Sequence, residues 1–134
     1  MSVGTNPYLK YRQNSIETAS GEQLLLMLYD GAVRFLRNAV LSIEKQDFEG
    51  AHNSIVRVQD IIGELICTLN MDYEISGYLR QLYEYFLERL IEANVKKDKD
   101  IAVEILNFLS ELRETWAQAV VKARDGGMRV DSNE

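Results

Sequence analysis

The chain has 134 residues, 46% of them hydrophobic, and a formal net charge of −6. That length suits one domain with one core, and the apolar content is too high for a disordered chain. The acidic balance argues against a nucleic-acid partner, which needs a basic stripe to displace counterions, and against adsorption to anionic lipid.

Cys67 is the single cysteine. An internal disulfide and a multi-cysteine zinc site are therefore excluded, and the expected compartment is the reducing cytosol. Met1 to Gln13 contains no apolar signal region, and no stretch approaches the length of uncharged apolar sequence that a membrane span requires.

In chain order, residues 1–19 read as an extended N-terminal arm. Pro7, the only proline, disfavours helix at Asn6. Tyr8, Leu9, Tyr11 and Ile16 give the arm apolar area that needs cover, either by packing on the domain or by lying in a partner's groove. Ser20-Gly21-Glu22-Gln23 has the form of a capping box.

The stretch Leu24 to Val33 opens with six apolar residues, and the pattern continues at helix spacing to Ile43. One helix to about Glu44 follows, roughly 30 Å long. A single stripe, Leu25, Leu28, Ala32, Phe35/Leu36, Ala39 and Ile43, suffices for a core. Leu24, Leu26, Met27, Tyr29, Val33 and Val40 are left over, so the helix is either buried on every side or covers something with its spare face. Gly31 inside it costs about 1 kcal/mol relative to alanine. It marks either close approach of another backbone or a tolerated defect.

Asp47 is a candidate N-cap for a second helix, Phe48 to about Leu69. Its stripe is Phe48, Ala51, Ile55, Val58, Ile62, Leu65 and Leu69, the alternating three-four spacing of a bundle seam. Ile61 and Ile66 widen it. A third helix covers about Tyr73 to Asn94, with Ile75, Leu79, Leu82, Phe86, Leu90 and Ala93 inward and Tyr78, Tyr85, Leu87 and Ile91 beside them. Lys96 to Asp100 reads as a solvated loop. A fourth helix runs from about Asp100 to Ala123 on Ile101, Ile105, Phe108, Leu112, Trp116, Ala119 and Ala123. Gly126-Gly127 is expected to stop it and leave residues 126–134 as a mobile tail. Four similar helices on short loops must be antiparallel neighbours. The expected fold is all-α: an up-down-up-down four-helix bundle over residues 20–125, with the extended arm before it.

Catalytic chemistry is not legible. A di-iron bundle needs two Glu-x-x-His strings; only Glu49-Gly50-Ala51-His52 is present, and His52 is the sole histidine. Cys67 lies roughly 22 Å along the same helix from His52, too far for a dyad, and reads as a small buried hydrophobe. There is no phosphate-binding glycine loop and no catalytic triad. No enzyme activity, cofactor or metal is expected.

Several strings carry a family resemblance. They are Asn6-Pro7-Tyr8-x-x-Tyr11, Ile16-x-Thr18-Ala19-Ser20, Leu24 with Met27-Leu28-Tyr29-Asp30-Gly31-Ala32, Ile61-Ile62-x-Glu64-Leu65, Leu82-Tyr83-x-Tyr85, Arg89-Leu90-x-x-Ala93-Asn94 and Leu112-Arg113-x-x-Trp116. As an ordered set over about residues 6 to 123, the chain resembles the flagellar secretion chaperone FliS family. Gly21 stands where that family often has a proline. The resemblance implies a non-enzymatic cytosolic chaperone. Such a protein holds the C-terminal segment of flagellin, unstructured in the free subunit, prevents early polymerisation and helps deliver it to an export-gate component. The family's precedent adds Tyr8, Tyr11 and Ile16 as a groove-covering arm. The residues themselves offer Leu26, Met27, Tyr29, Val33, Ile61, Tyr78 and Tyr85 as partner-binding surface. The alternative is a helical adaptor for another amphipathic segment or a regulator. The free protein is expected to be a monomer or a weak homodimer, without nucleic acid or membrane insertion.

Overall fold

A computed structural model describes residues 21–133. The arm, with Tyr8, Tyr11 and Ile16, and the Ser20 end of the capping box lie outside the described residues. Four helices follow one another: α1 (Gly21–Glu44), α2 (Phe48–Thr68), α3 (Glu74–Lys96) and α4 (Lys99–Asn133). Each of α1 and α3 packs on both α2 and α4, which closes an antiparallel up-down-up-down bundle.

The connections are short because each helix end is satisfied locally. Asp47 caps α2, its carboxylate accepting from the Gly50 N–H at 3.0 Å. A Cβ on Gly50 would run into that carboxylate, so glycine is what admits the cap. The charged connector is tighter than expected: Lys96 ends α3 and Lys99 begins α4. Between them Lys97 adopts the left-handed conformation, and the Asp98 N–H closes onto Ala93 O. Asp98 Oδ1 then accepts from the N–H groups of Asp100 and Ile101, starting α4.

The core takes Leu28, Ala32, Leu36 and Ala39 from α1, and Ile55, Val58, Ile62 and Leu65 from α2. From α3 come Tyr83, Phe86, Leu90 and Ala93, and from α4 Ile101, Ala102, Ile105 and Leu109. Burying each large aliphatic or aromatic side chain contributes about 1.5–3 kcal/mol. α1 and α2 come close at Gly31, where an added Cβ would stand 3.3 Å from Ile61 Cδ1. That close approach is made to a side chain.

Several expectations are corrected. Ile75 and Phe108 are exposed instead of inward, and Tyr83 and Leu109 take the core in their place. Phe48 is also half out, at the first turn of α2 where the bundle has no further layer to cover it. Ala119 and Ala123 are exposed. Cys67 is exposed, on the outer side of α2 just past the buried Leu65. Gly126-Gly127 does not stop α4, which continues to Asn133. Glycine weakens a helix but keeps its N–H, so the hydrogen-bond ladder need not break as it does at proline.

Candidate partner-binding surface

Ile75, Tyr78, Leu82, Tyr85 and Arg89 recur at three-four spacing and so share one face of α3. Tyr85 and Arg89 reach α4 from it, which fixes this face as the flank toward α4. Ile75 is 60% exposed, Tyr78 63% and Tyr85 38%, and Phe108 of α4 adds a ring that is 38% exposed. Leu82 is half-buried behind them.

The rings are held. The Tyr85 hydroxyl donates to Glu104 Oε2 at 2.6 Å, and Arg89 Nη2 donates to Glu104 Oε1 at 2.9 Å. Arg89 Nη1 also binds Glu92, which takes Lys96 on its other oxygen. Tyr85 meets Phe108 edge-on, with centroids 6.5 Å apart and planes at 80°. Phe108 in turn lies 5.6 Å from the buried Phe86. The hydrogen bond to Glu104 raises the Tyr85 pKa. Tyr85 and then Arg89 hold Glu104 below the usual carboxylate range.

The surplus of α1 divides. Leu26 and Val33 share a face with Asp30, which pairs with Arg113 of α4 at 2.7 Å. Met27 lies on the other side, in line with Gly31 and α2. All three are half-buried.

Tyr29 and Ile61, expected on the spare surface, are fully inside. Ile61 is sealed by the close approach at Gly31. Tyr29 is inside because its hydroxyl has partners across the bundle: it lies 2.5 Å from the Tyr83 hydroxyl and accepts from Trp116 Nε1 at 3.2 Å. α1, α3 and α4 thus meet in one buried polar chain that satisfies each of its members. Burial raises both tyrosine pKa values, that of Tyr83 far more, with Tyr29 adding to it.

His52 is exposed and pairs with Asn94 at 2.9 Å. Among the described residues, no group of histidine, cysteine or carboxylate side chains could hold a metal, and no helix is long and apolar enough to cross a membrane.

The fold and this flank define a class: small antiparallel helical bundles that keep braced apolar surface outside their own core. Residues 4–123 match the family described as Flagellar protein FliS, and the chain belongs to that family. It is 39% identical to the flagellar secretion chaperone FliS of Bacillus subtilis, over 89% of this chain and 90% of the relative. It is 34% identical to the FliS of Salmonella typhimurium, over 84% and 89%. To that of Campylobacter jejuni it is 33% identical, over 83% and 88%.

Proposed function

We propose that the protein is a cytosolic export chaperone. It binds the C-terminal segment of flagellin, blocks premature polymerisation and presents the subunit to the flagellar export apparatus. The observation that carries this reading is the exposed row of Ile75, Tyr78, Tyr85 and Phe108 in a chain of the FliS family. Its relatives are named secretion chaperones, which favours binding over catalysis as the activity.

The mechanism is coupled folding and binding. The client is a segment that cannot bury its own apolar stripe, and ordering it costs about 2–5 kcal/mol or more. About 1,000 Å² of apolar contact contributes roughly 25 kcal/mol gross, most of which association and ordering consume. A contact of that size favours wrapping over several helices, with Tyr78 and Tyr85 on one flank and Leu26, Met27 and Val33 on others. Tyr8, Tyr11 and Ile16 complete the surface as a displaceable arm. Aromatic rings held in place before binding lose little freedom on contact, which suits Tyr85 as an anchor.

The test is co-elution of the full chain with the flagellin C-terminal segment on size exclusion. A complex of defined stoichiometry is expected, weakened by Tyr78→Ala with Tyr85→Ala while the helical circular-dichroism signal is kept. Absence of a complex with the unmodified chain overturns the reading.

A further inference from the structure

The edge of the α3–α4 flank carries acidic charge that the bundle uses only in part. On α3, Glu74, Tyr78, Gln81, Tyr85 and Glu88 form a stripe at four-three spacing. On α4, Glu104, Phe108 and Glu111 do the same. Carboxylates therefore bracket the exposed rings on both helices. Of the other acids on these helices, Glu84 pairs with Arg80, Glu92 with Arg89 and Lys96, and Glu114 with Arg113, while Asp100 in the first turn of α4 forms no ion pair among the described residues; within the stripe, Glu104 pairs with Arg89. Glu74, Glu88 and Glu111 form no ion pair among the described residues. Glu74 is at least offset by the N-terminus of α3, whose first turn it occupies. Glu88 and Glu111 lie mid-helix and have no such compensation. In a chain of net charge −6, Glu88 and Glu111 beside an exposed aromatic row add repulsion with no internal return.

We infer that the α3–α4 flank is a docking groove for an amphipathic helix bearing lysine or arginine on both sides of its apolar stripe. The inference rests on the helix-binding reading above and names the chemistry of the client segment that this flank takes. The row from Ile75 to Arg89 is about 21 Å long, the length of a helix of roughly four turns. Such a helix places anchors at i, i+3 or i+4, and i+7 against Tyr78, Leu82 and Tyr85. Its flanking cations then fall beside Glu74 and Glu88 on one side and Glu111 on the other. Glu104 and Arg89 act as positioning residues, since they hold the Tyr85 ring upright against Phe108. Complementary rim charge selects among apolar helices more than it adds affinity.

The experiment uses the full chain and three synthetic helices of about four turns with one shared leucine stripe. Their flanks carry lysine, glutamine or glutamate, and binding is read by fluorescence anisotropy. At low ionic strength the lysine peptide is expected to bind about tenfold tighter than the glutamate peptide, exposed pairs contributing modestly and together. The ratio should collapse in about 1 M salt, where the screening length is about 3 Å. The triple variant Glu74→Gln, Glu88→Gln, Glu111→Gln should abolish the preference with helicity unchanged. Equal affinities at low salt overturn the inference, as does a preference that survives in the triple variant. Failure of all three peptides also overturns it, while the flagellin segment still co-eluting leaves the chaperone reading standing. Conversely, tight lysine-peptide binding without flagellin co-elution supports this groove and removes the client proposed above.

Discussion

Tyr83 and Tyr85 stand two positions apart on α3 and meet opposite fates. Two residues turn the helix by about 200°, so one ring enters the core and the other faces the α4 flank. Tyr83 is buried because its hydroxyl finds Tyr29 across the bundle, and Trp116 completes the chain. Tyr85 is held by a carboxylate at the surface and keeps over a third of its area open. The difference teaches that an aromatic residue in this bundle is assigned by the partner of its polar atom as much as by its apolar ring. A buried hydroxyl without a partner would cost about 1–3 kcal/mol, enough to reverse the choice.

The strongest way to break the comparison is at the ring beneath both regions. Phe86 touches Tyr83 on one side and Phe108 on the other. Phe86→Ala should cost about 3–5 kcal/mol in chemical denaturation. A loss under about 1 kcal/mol, as at a surface position, would erase the line between core and flank.

Alkaline pH separates the two tyrosine environments next. Burial keeps the protons on Tyr29 and Tyr83 in the folded protein. Below about pH 10 their contribution is fully present. Above it the unfolded chain binds fewer protons than the folded one, so stability falls as pH rises toward the folded pKa. The slope is up to about 1.4 kcal/mol per pH unit for each tyrosine. Denaturation curves at rising alkaline pH should show a shallower fall for Tyr83→Phe. The exposed Tyr85 hydroxyl is screened, so Tyr85→Phe should leave the fall nearly as it was.

At neutral pH the central hydroxyl should matter more than the terminal one. Tyr29→Phe strands both the Tyr83 hydroxyl and the Trp116 N–H, a loss of about 2–3 kcal/mol. Tyr83→Phe leaves Trp116 bonded to Tyr29 and should cost about 1–2 kcal/mol. Paired urea curves, with Trp116 fluorescence as the signal, would show whether that order is reversed. Smallest in stability is Tyr78→Ala, within about 0.5 kcal/mol because the ring is mostly in solvent. A larger loss in the same assay would place Tyr78 in the fold.

The helices and their order were legible because each carries an unbroken apolar period. α2 was the clearest: Ala51, Ile55, Val58, Ile62 and Leu65 are all buried as the spacing implies. On α3 and α4 the expected stripes hold at Phe86, Leu90, Ala93, Ile101 and Ile105 and depart from the core at Ile75 and Phe108. On α3, Leu79, Tyr83, Phe86, Leu90 and Ala93 repeat as regularly as the chosen stripe through Ile75 and Leu82, and hydropathy cannot choose between them. On α4, Leu109 stands beside Phe108 and competes for the same seam. The choice came from partners on other helices, Tyr29 for Tyr83 and Tyr85 for Phe108. The same ambiguity put Tyr29 and Ile61 on the expected surface. For Ile61, Gly31 was the available signal, since a glycine at that point lets a neighbouring helix come close. The paired exposure of Tyr78 and Tyr85 followed from their position beside the α3 stripe.

The central claim is that the bundle keeps apolar surface outside its own core to cover a guest segment. Its most direct test is the heat-capacity change on binding the flagellin C-terminal segment, measured by titration calorimetry at several temperatures with the unmodified chain and with Tyr78→Ala, Tyr85→Ala. A clearly negative value is predicted, since covering apolar area lowers heat capacity by about 0.45 cal/K/mol for each Å², and it should shrink toward zero in the double variant. Binding with a heat-capacity change near zero, or one unaltered by the two substitutions, would contradict the account.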